Sequence, residues 1–323
     1  MLLDSQEDSR HPDEDYYNHL DSLLPRTEAL ARRATSNSWF LPPQSQMEGP
    51  MSVPLKQFVI TENSGAYWRI TFGNPPLNLI NPETIRELKQ LMELIEAQKE
   101  LRVVVFDSAN PEFYFARYDL ARAAETPTEP GPTGFPAWID FVLRIAQSPV
   151  ISIASIRGRT RGGGSELALS FDMRFASREK AIFGQPEVAG GVLPGGGANE
   201  RLPQLMGRAR ALEVIVGSYD FDAETAERYG WINRSLPDSE LDGFVDNLAK
   251  RIASFDGQAV AEAKRLVNRT TVPQPEDLLE SQTAFLAAVQ WPQVLPRVLK
   301  ARERAAAVGL DFELRLGHHL GTL

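Results

Sequence analysis

The segment Pro149-Val150-Ile151-Ser152-Ile153-Ala154-Ser155-Ile156 constrains the fold more than any other. It is a short run of largely apolar residues, of the kind found in strands covered on both faces. It leads through Arg157–Arg161 into Gly162-Gly163-Gly164 and a helix that starts near Ser165. A covered strand needs a layer on each side, and a glycine turn into a helix supplies one of them. The chain is therefore read as α/β.

The flanking sequence repeats the arrangement. Phe58–Ile60 and Tyr67–Phe72 read as strands about the turn Glu62-Asn63-Ser64-Gly65. Apolar residues at Ile85, Leu88, Leu91, Met92 and Ile95 have helical spacing. Asn81 before Pro82 predicts the cap of that helix, with proline at its first position. Val103–Phe106 is a second covered strand, and Trp138–Ala146 is helical. Strands and helices then alternate through Met173–Ala176, Ile182-Phe183, one helix over Leu202–Gly217, and Ala223–Gly230.

Three regions are expected: an acidic arm at 1–50, a core at 51–256, and a helical region at 257–323 that packs on the core or a neighbouring subunit. The arm carries nine acidic side chains against four arginines. It has no charged-then-apolar leader pattern and is too acidic for a mitochondrial transit peptide. Leu20, Leu23, Leu24, Leu30 and Ala31 suggest a short helix in it, interrupted by Pro25. No apolar run reaches the roughly 20 residues that span a bilayer, and a cytoplasmic protein without membrane partners is expected.

Composition narrows the chemistry. There is no cysteine, so thiolate nucleophiles, disulfides and cysteine-ligated metals are excluded. The four histidines are His11, His19, His318 and His319, which leaves residues 20–317 without one. A Ser-His-Asp triad or a paired-histidine zinc site has no place there, and no metal site is expected. A net charge of −9 argues against a nucleic-acid partner, which normally meets a basic surface. Proton transfer falls to carboxylates, lysine or tyrosine.

Two glycine clusters precede glutamates. Gly162-Gly163-Gly164-Ser165-Glu166 places Glu166 on the first turn of a helix, where unpaired N–H groups and the positive dipole end suit an anion. Phe183-Gly184-Gln185-Pro186-Glu187 places Glu187 in a loop at a strand end, ahead of Pro194-Gly195-Gly196-Gly197. The glycine spacing fits neither a dinucleotide fingerprint nor a P-loop. On these residues alone, a tight turn and a helix-capping glutamate explain the first cluster as well as a ligand site does.

Read together, these segments resemble the crotonase superfamily, the enoyl-CoA hydratase/isomerase family. The resemblance rests on Pro149–Gly158, Gly162–Leu169, Asp172–Ser177, Phe183–Glu187, Leu193–Gly197 with Arg201-Leu202-Pro203, Ala223–Ala226 and Gly230–Asn233. It covers roughly residues 57–270.

The resemblance implies a spiral of repeated β-β-α units with a C-terminal helical region, usually assembled as a homotrimer or dimer of trimers. It implies an acyl-CoA thioester substrate, with CoA entering as part of the substrate and no separate cofactor, and a place in fatty acid metabolism. It assigns the backbone N–H groups of Ala116 and Gly163 to an oxyanion hole. It assigns Glu166 mainly to activating water and Glu187 mainly to the Cα proton.

Ala116, Arg117, Tyr118, Asp119 and Gly163 are the substrate-binding positions it implies. The family's small-residue run at this loop is here Phe115-Ala116-Arg117-Tyr118-Asp119. Arg117 is placed to meet a CoA phosphate and Tyr118 to stack on the base, or both turn outward. Hydration of an enoyl-CoA is the leading expectation. Isomerisation, hydrolysis or C–C cleavage through the same oxyanion, and a non-catalytic scaffold of the same fold, are the alternatives.

Overall fold

The computed structural model of the protein describes residues 54–323. The arm at 1–50, with its expected short helix, His11 and His19, lies outside the described residues. The chain opens with β1 (Phe58–Ser64) and β2 (Tyr67–Phe72), an antiparallel pair. It continues through α1 (Pro82–Ala97), β3 (Val103–Ser108), α2 (Ala137–Gln147) and β4 (Ile151–Ile156). A second, three-stranded sheet holds β5 (Arg159–Arg161), β7 (Ile182–Gly184) and β8 (Phe221–Asp222). With β6 (Met173–Ser177) and β9 (Arg234–Leu236), the larger sheet has the order β1-β2-β3-β4-β6-β9, parallel from β2 onward. The chain alternates between the sheets: β4, β5 and α3 (Gly163–Ser170) form one turn, and β6 and β7 open the next. This is the spiral of β-β-α units.

The large sheet is covered on both faces because its strands alternate apolar side chains at period two. Val104 and Phe106 point into the main core with Leu88, Leu91 and Ile95 of α1 and Ile139 and Val142 of α2. Val103, Val105 and Ile153 face the other way, onto Leu241, Val245 and Ala249 of α7 (Asp238–Ala253). The cap of α1 is reciprocal. Asn81 accepts from the Thr84 N–H at 2.9 Å, and the Thr84 hydroxyl accepts from the Asn81 N–H at 3.1 Å.

The single helix expected over Leu202–Gly217 is two: α4 (Ala198–Met206) and α5 (Arg208–Gly217). The break is Gly207, at φ +78°, outside helical geometry. After α6 (Ala223–Tyr229) and α7, the chain from 257 is helical as expected. It runs through α8 (Gly257–Thr271), α9 (Pro275–Ala288), α10 (Val294–Val308), α11 (Asp311–Leu314) and α12 (Leu316–Gly321). This region packs onto the core: Leu278 of α9 is part of the main apolar cluster. Lys264 of α8 is buried, and its Nζ donates to Ile145 O, Val150 O and Asp172 Oδ2 at 3.2, 2.8 and 2.7 Å. Among the described residues no helix is long and apolar enough to cross a membrane.

Candidate active site

The parallel pairing of β5 with β7 brings the two glycine clusters together. Arg161 lies opposite Gly184, and the Gly162 N–H donates to Gly184 O at 3.0 Å. Three residues beyond Gly184, Glu187 folds over Gly162. A Cβ at position 162 would sit 2.4 Å from Glu187 Oε1, and the backbone there has φ +48°. Only glycine fits both conditions without displacing the carboxylate. The Glu187 loop is closed by Gly190 N–H to Pro186 O at 3.1 Å and Val192 N–H to Glu187 O at 3.0 Å. Its Oε2 is sealed from solvent and has no hydrogen-bond partner among the described residues.

Glu166 is on the first turn of α3, where its N–H donates to Gly162 O at 2.9 Å. Its side chain crosses to the start of α4. Oε1 accepts from the Gly196 N–H at 2.7 Å and the Ala198 N–H at 3.2 Å. That turn is held by Trp138 of α2, whose Nε1 donates to Gly196 O at 3.2 Å. The residue is only 4% exposed. The second glycine cluster thus serves Glu166, a role the linear sequence did not reveal although the cluster itself was plain.

The two carboxyls differ in environment. Burial pushes Glu166 up to about 7, against the lowering effect of its two backbone donors and of Arg201; Glu200 adds to the rise. Burial pushes Glu187 well above the ordinary carboxylate range, and the charge on Glu166 pushes it further. Two backbone donors favour the charged form of Glu166, while Glu187 has only its own backbone N–H and also feels the Glu166 charge, so Glu187 is the more firmly protonated of the pair.

The loop before the short 3-10 turn Leu120–Glu125 carries Ala116, the residue expected to supply one oxyanion donor. The Ala116 N–H is already donated to Asn78 O at 3.0 Å, and Ala116 O accepts from Arg161 N at 2.8 Å. That position is therefore fully paired. Two residues on, Arg117 O accepts from Ile80 N at 2.9 Å and the Asp119 N–H donates to Ile80 O at 2.8 Å. The trans peptide plane turns the Tyr118 N–H away from Ile80, and it donates no hydrogen bond among the described residues.

Tyr118 lies against Gly163: a Cβ there would be 3.1 Å from Tyr118 Cβ and 3.4 Å from Tyr118 N. Gly163 is the first residue of α3, so its own N–H has no intrahelical acceptor. The loop is pressed onto the helix start so closely that a Cβ at Gly164 would lie 1.9 Å from Phe115 O. Among the described residues the Tyr118 and Gly163 N–H groups have no acceptor within the loop and helix start, whereas the Ala116 N–H is paired.

The remaining loop side chains are engaged within the chain. Arg117 forms a bidentate ion pair with Glu313 of α11: Nη2 to Oε1 at 2.6 Å and Nε to Oε2 at 3.1 Å. Tyr118 is hydrogen-bonded through its hydroxyl to Thr126, and burial pushes it up to about 12. Asp119 is buried and accepts from the Ala121 N–H at 3.2 Å, capping the short turn. None of the three side chains points freely at a CoA phosphate or base.

Comparison with known proteins places this geometry. The family model for enoyl-CoA hydratase/isomerase matches residues 62–314. A short-chain-enoyl-CoA hydratase of Clostridium acetobutylicum is 34% identical over 215 residues, covering 65% of this chain and 81% of that protein. A carnitinyl-CoA dehydratase of Escherichia coli is 32% identical over 219 residues, 67% of this chain and 81% of that protein. The crystal structure of a Streptomyces avermitilis protein, provisionally named an enoyl-CoA hydratase, superposes with a TM-score of 0.79. It is 39% identical and covers 85% of this chain and 99% of that one. With Glu166 buried just after the Gly162–Gly164 turn and Glu187 folded over Gly162 in a two-sheet spiral, the chain belongs to the crotonase superfamily, as an enzyme of the enoyl-CoA hydratase/isomerase family.

Proposed function

We propose that the protein adds water across the 2,3 double bond of an acyl-CoA thioester. One observation carries this reading: the buried Glu166 and the half-buried Glu187, with separated proton affinities, flank the glycine turn beside two backbone N–H groups that have no acceptor among the described residues. The thioester carbonyl oxygen accepts from Tyr118 and Gly163. These donors oppose the charge that appears on that oxygen as the enolate forms, and being backbone they need no reorganisation.

Glu166, whose ionised form is favoured by Gly196 and Ala198, takes a proton from water as its oxygen bonds to Cβ. Glu187, held neutral, delivers its proton to Cα as the enolate collapses. The pair ends with Glu166 protonated and Glu187 ionised, and proton exchange resets it. A double-bond shift needs only one carboxyl to move a proton between carbons; two carboxyls of opposite protonation suit addition of water better. Names of the relatives, including a hydratase and a dehydratase, are consistent with this chemistry in either direction.

The test is loss of the conjugated thioester absorbance of crotonyl-CoA and longer enoyl-CoAs on mixing with the protein. Glu166→Gln and Glu187→Gln are each expected to slow it by about 10²–10⁴-fold. Unchanged rates in both variants would refute the two-carboxyl mechanism. Failure of any acyl-CoA to bind by calorimetry would favour a scaffold of the same fold. We also infer self-association into a trimer. The support is apolar side chains left exposed on α5 (Leu212, Val216) and α10 (Leu295, Leu299), and light scattering would measure it.

A further inference from the structure

Residues 313 and 314, far from the active site in sequence, are tied to both loops that carry the free N–H groups. On one side, Glu313 grips Arg117, the residue immediately before Tyr118, in the bidentate pair described above. Arg117 Nη1 also donates to Tyr118 O at 3.1 Å, so the same guanidinium braces the next peptide. On the other side, Arg161 stands two residues before Gly163. It donates to Glu313 O at 2.8 Å and Leu314 O at 3.1 Å, while Asp220 holds it by two further bonds at 2.6 and 2.9 Å. Arg159 Nε adds a third arginine contact, to Leu314 O at 3.2 Å.

We propose that Glu313 is a positioning residue for the oxyanion hole: through Arg117 and α11 it sets the spacing of the Tyr118 and Gly163 N–H groups. This rests on the oxyanion reading above and names a part of the machinery outside the glutamates. Position 117 has a long cationic side chain in a loop where the backbone does the chemistry, and such a side chain is explained if its charge is used as an anchor. The ion pair suits that task, since its two parallel bonds fix angle as well as distance. Both partners are well shielded, with side chains 16% and 12% exposed, so solvent competes poorly for them. Glu313 stays below the usual carboxylate range despite its burial, because Arg117 and Arg161 outweigh the burial effect. It is therefore an anion throughout the working range.

A probe of carbonyl polarisation separates positioning from mere stability. Hydrogen bonds to the carbonyl oxygen of a conjugated thioester draw electron density toward it and move its absorption to longer wavelength. With 2,4-hexadienoyl-CoA and the full chain, the unmodified protein is expected to produce such a shift. In Glu313→Gln the shift should fall by half or more, with kcat for hydration down roughly 10–100-fold and the probe's dissociation constant within about threefold. Glu313→Asp keeps the charge but shortens the reach, so it should lose the shift likewise; it serves if the glutamine variant folds poorly by circular dichroism. Arg117→Met should lose at least as much, and the double variant no more than Arg117→Met alone, because Glu313 acts through Arg117.

A full spectral shift in Glu313→Gln, or in Glu313→Asp if that variant is the one that folds, would overturn the proposal. So would additive losses in the double variant. No shift in the unmodified protein, with the probe bound, would instead overturn the oxyanion hole itself and the positioning role with it.

Discussion

Glu166→Gln should damage the enzyme and stabilise the fold at once, and the size of the second effect follows from the environment of the carboxyl. Glu166 is 4% exposed, and burial raises it from 4.5 to about 7. The folded chain therefore holds a proton that the unfolded chain has already released. Linkage makes the sign definite: stability is fully present below the unfolded value near 4.5 and is lost as pH rises toward 7. Between about pH 4 and pH 8 the loss amounts to roughly 3 kcal/mol, at about 1.4 kcal/mol for each tenfold change in proton binding.

Glutamine retains an oxygen for the Gly196 and Ala198 N–H groups but carries no charge to bury. Relative to the unmodified protein, Glu166→Gln should be near neutral at about pH 4 and more stable by roughly 2–3 kcal/mol at about pH 8. Urea unfolding of both proteins across that range reads this effect together with the relief of Glu187 from the Glu166 charge, both of which favour the variant as pH rises. Hydration activity of the unmodified protein should fall as pH drops below about 7, as the base is protonated. A stability difference that does not change with pH would refute the buried-charge argument, whatever happens to activity.

Two other substitutions test the scaffold. Gly162→Ala places a Cβ 2.4 Å from Glu187 Oε1 at φ +48°; it should cost about 1–3 kcal/mol in stability and displace the acid enough to lower kcat about 10²-fold, read by melting and crotonyl-CoA turnover. Lys264→Met leaves Ile145 O, Val150 O and Asp172 Oδ2 without their shared donor. It should destabilise by about 3 kcal/mol in urea unfolding while leaving the dependence of kcat on pH unaltered.

How much of this was legible beforehand differs from element to element. The strand Ile151–Ile156, the helix capped at Asn81 and the helical tail were all marked by local signals: apolar period, cap chemistry and punctuation by proline or glycine. The same signals ran a single helix through Gly207, because an isolated glycine within a helical pattern does not announce that its φ will be positive. With cysteine absent and histidine confined to the ends, composition left carboxylates, lysine or tyrosine to move protons; it was the family resemblance that singled out Glu166 and Glu187. Only the first step depends on composition and survives any fold.

Which N–H of the 115–119 loop stays free was beyond local signals. Backbone N–H groups are chemically alike along a chain, and only the pairing of Asn78 and Ile80 decides that Ala116 is occupied while Tyr118 is free. Arg117 posed the same difficulty, for its partner lies 196 residues away. The sequence by itself determined an α/β chain with the motifs of the crotonase superfamily, without cysteine and without histidine between residues 20 and 317. Tertiary structure alone decided which backbone N–H groups of this loop are paired within the chain, because a hydrogen bond is a matter of distance and direction between segments that sequence order does not relate.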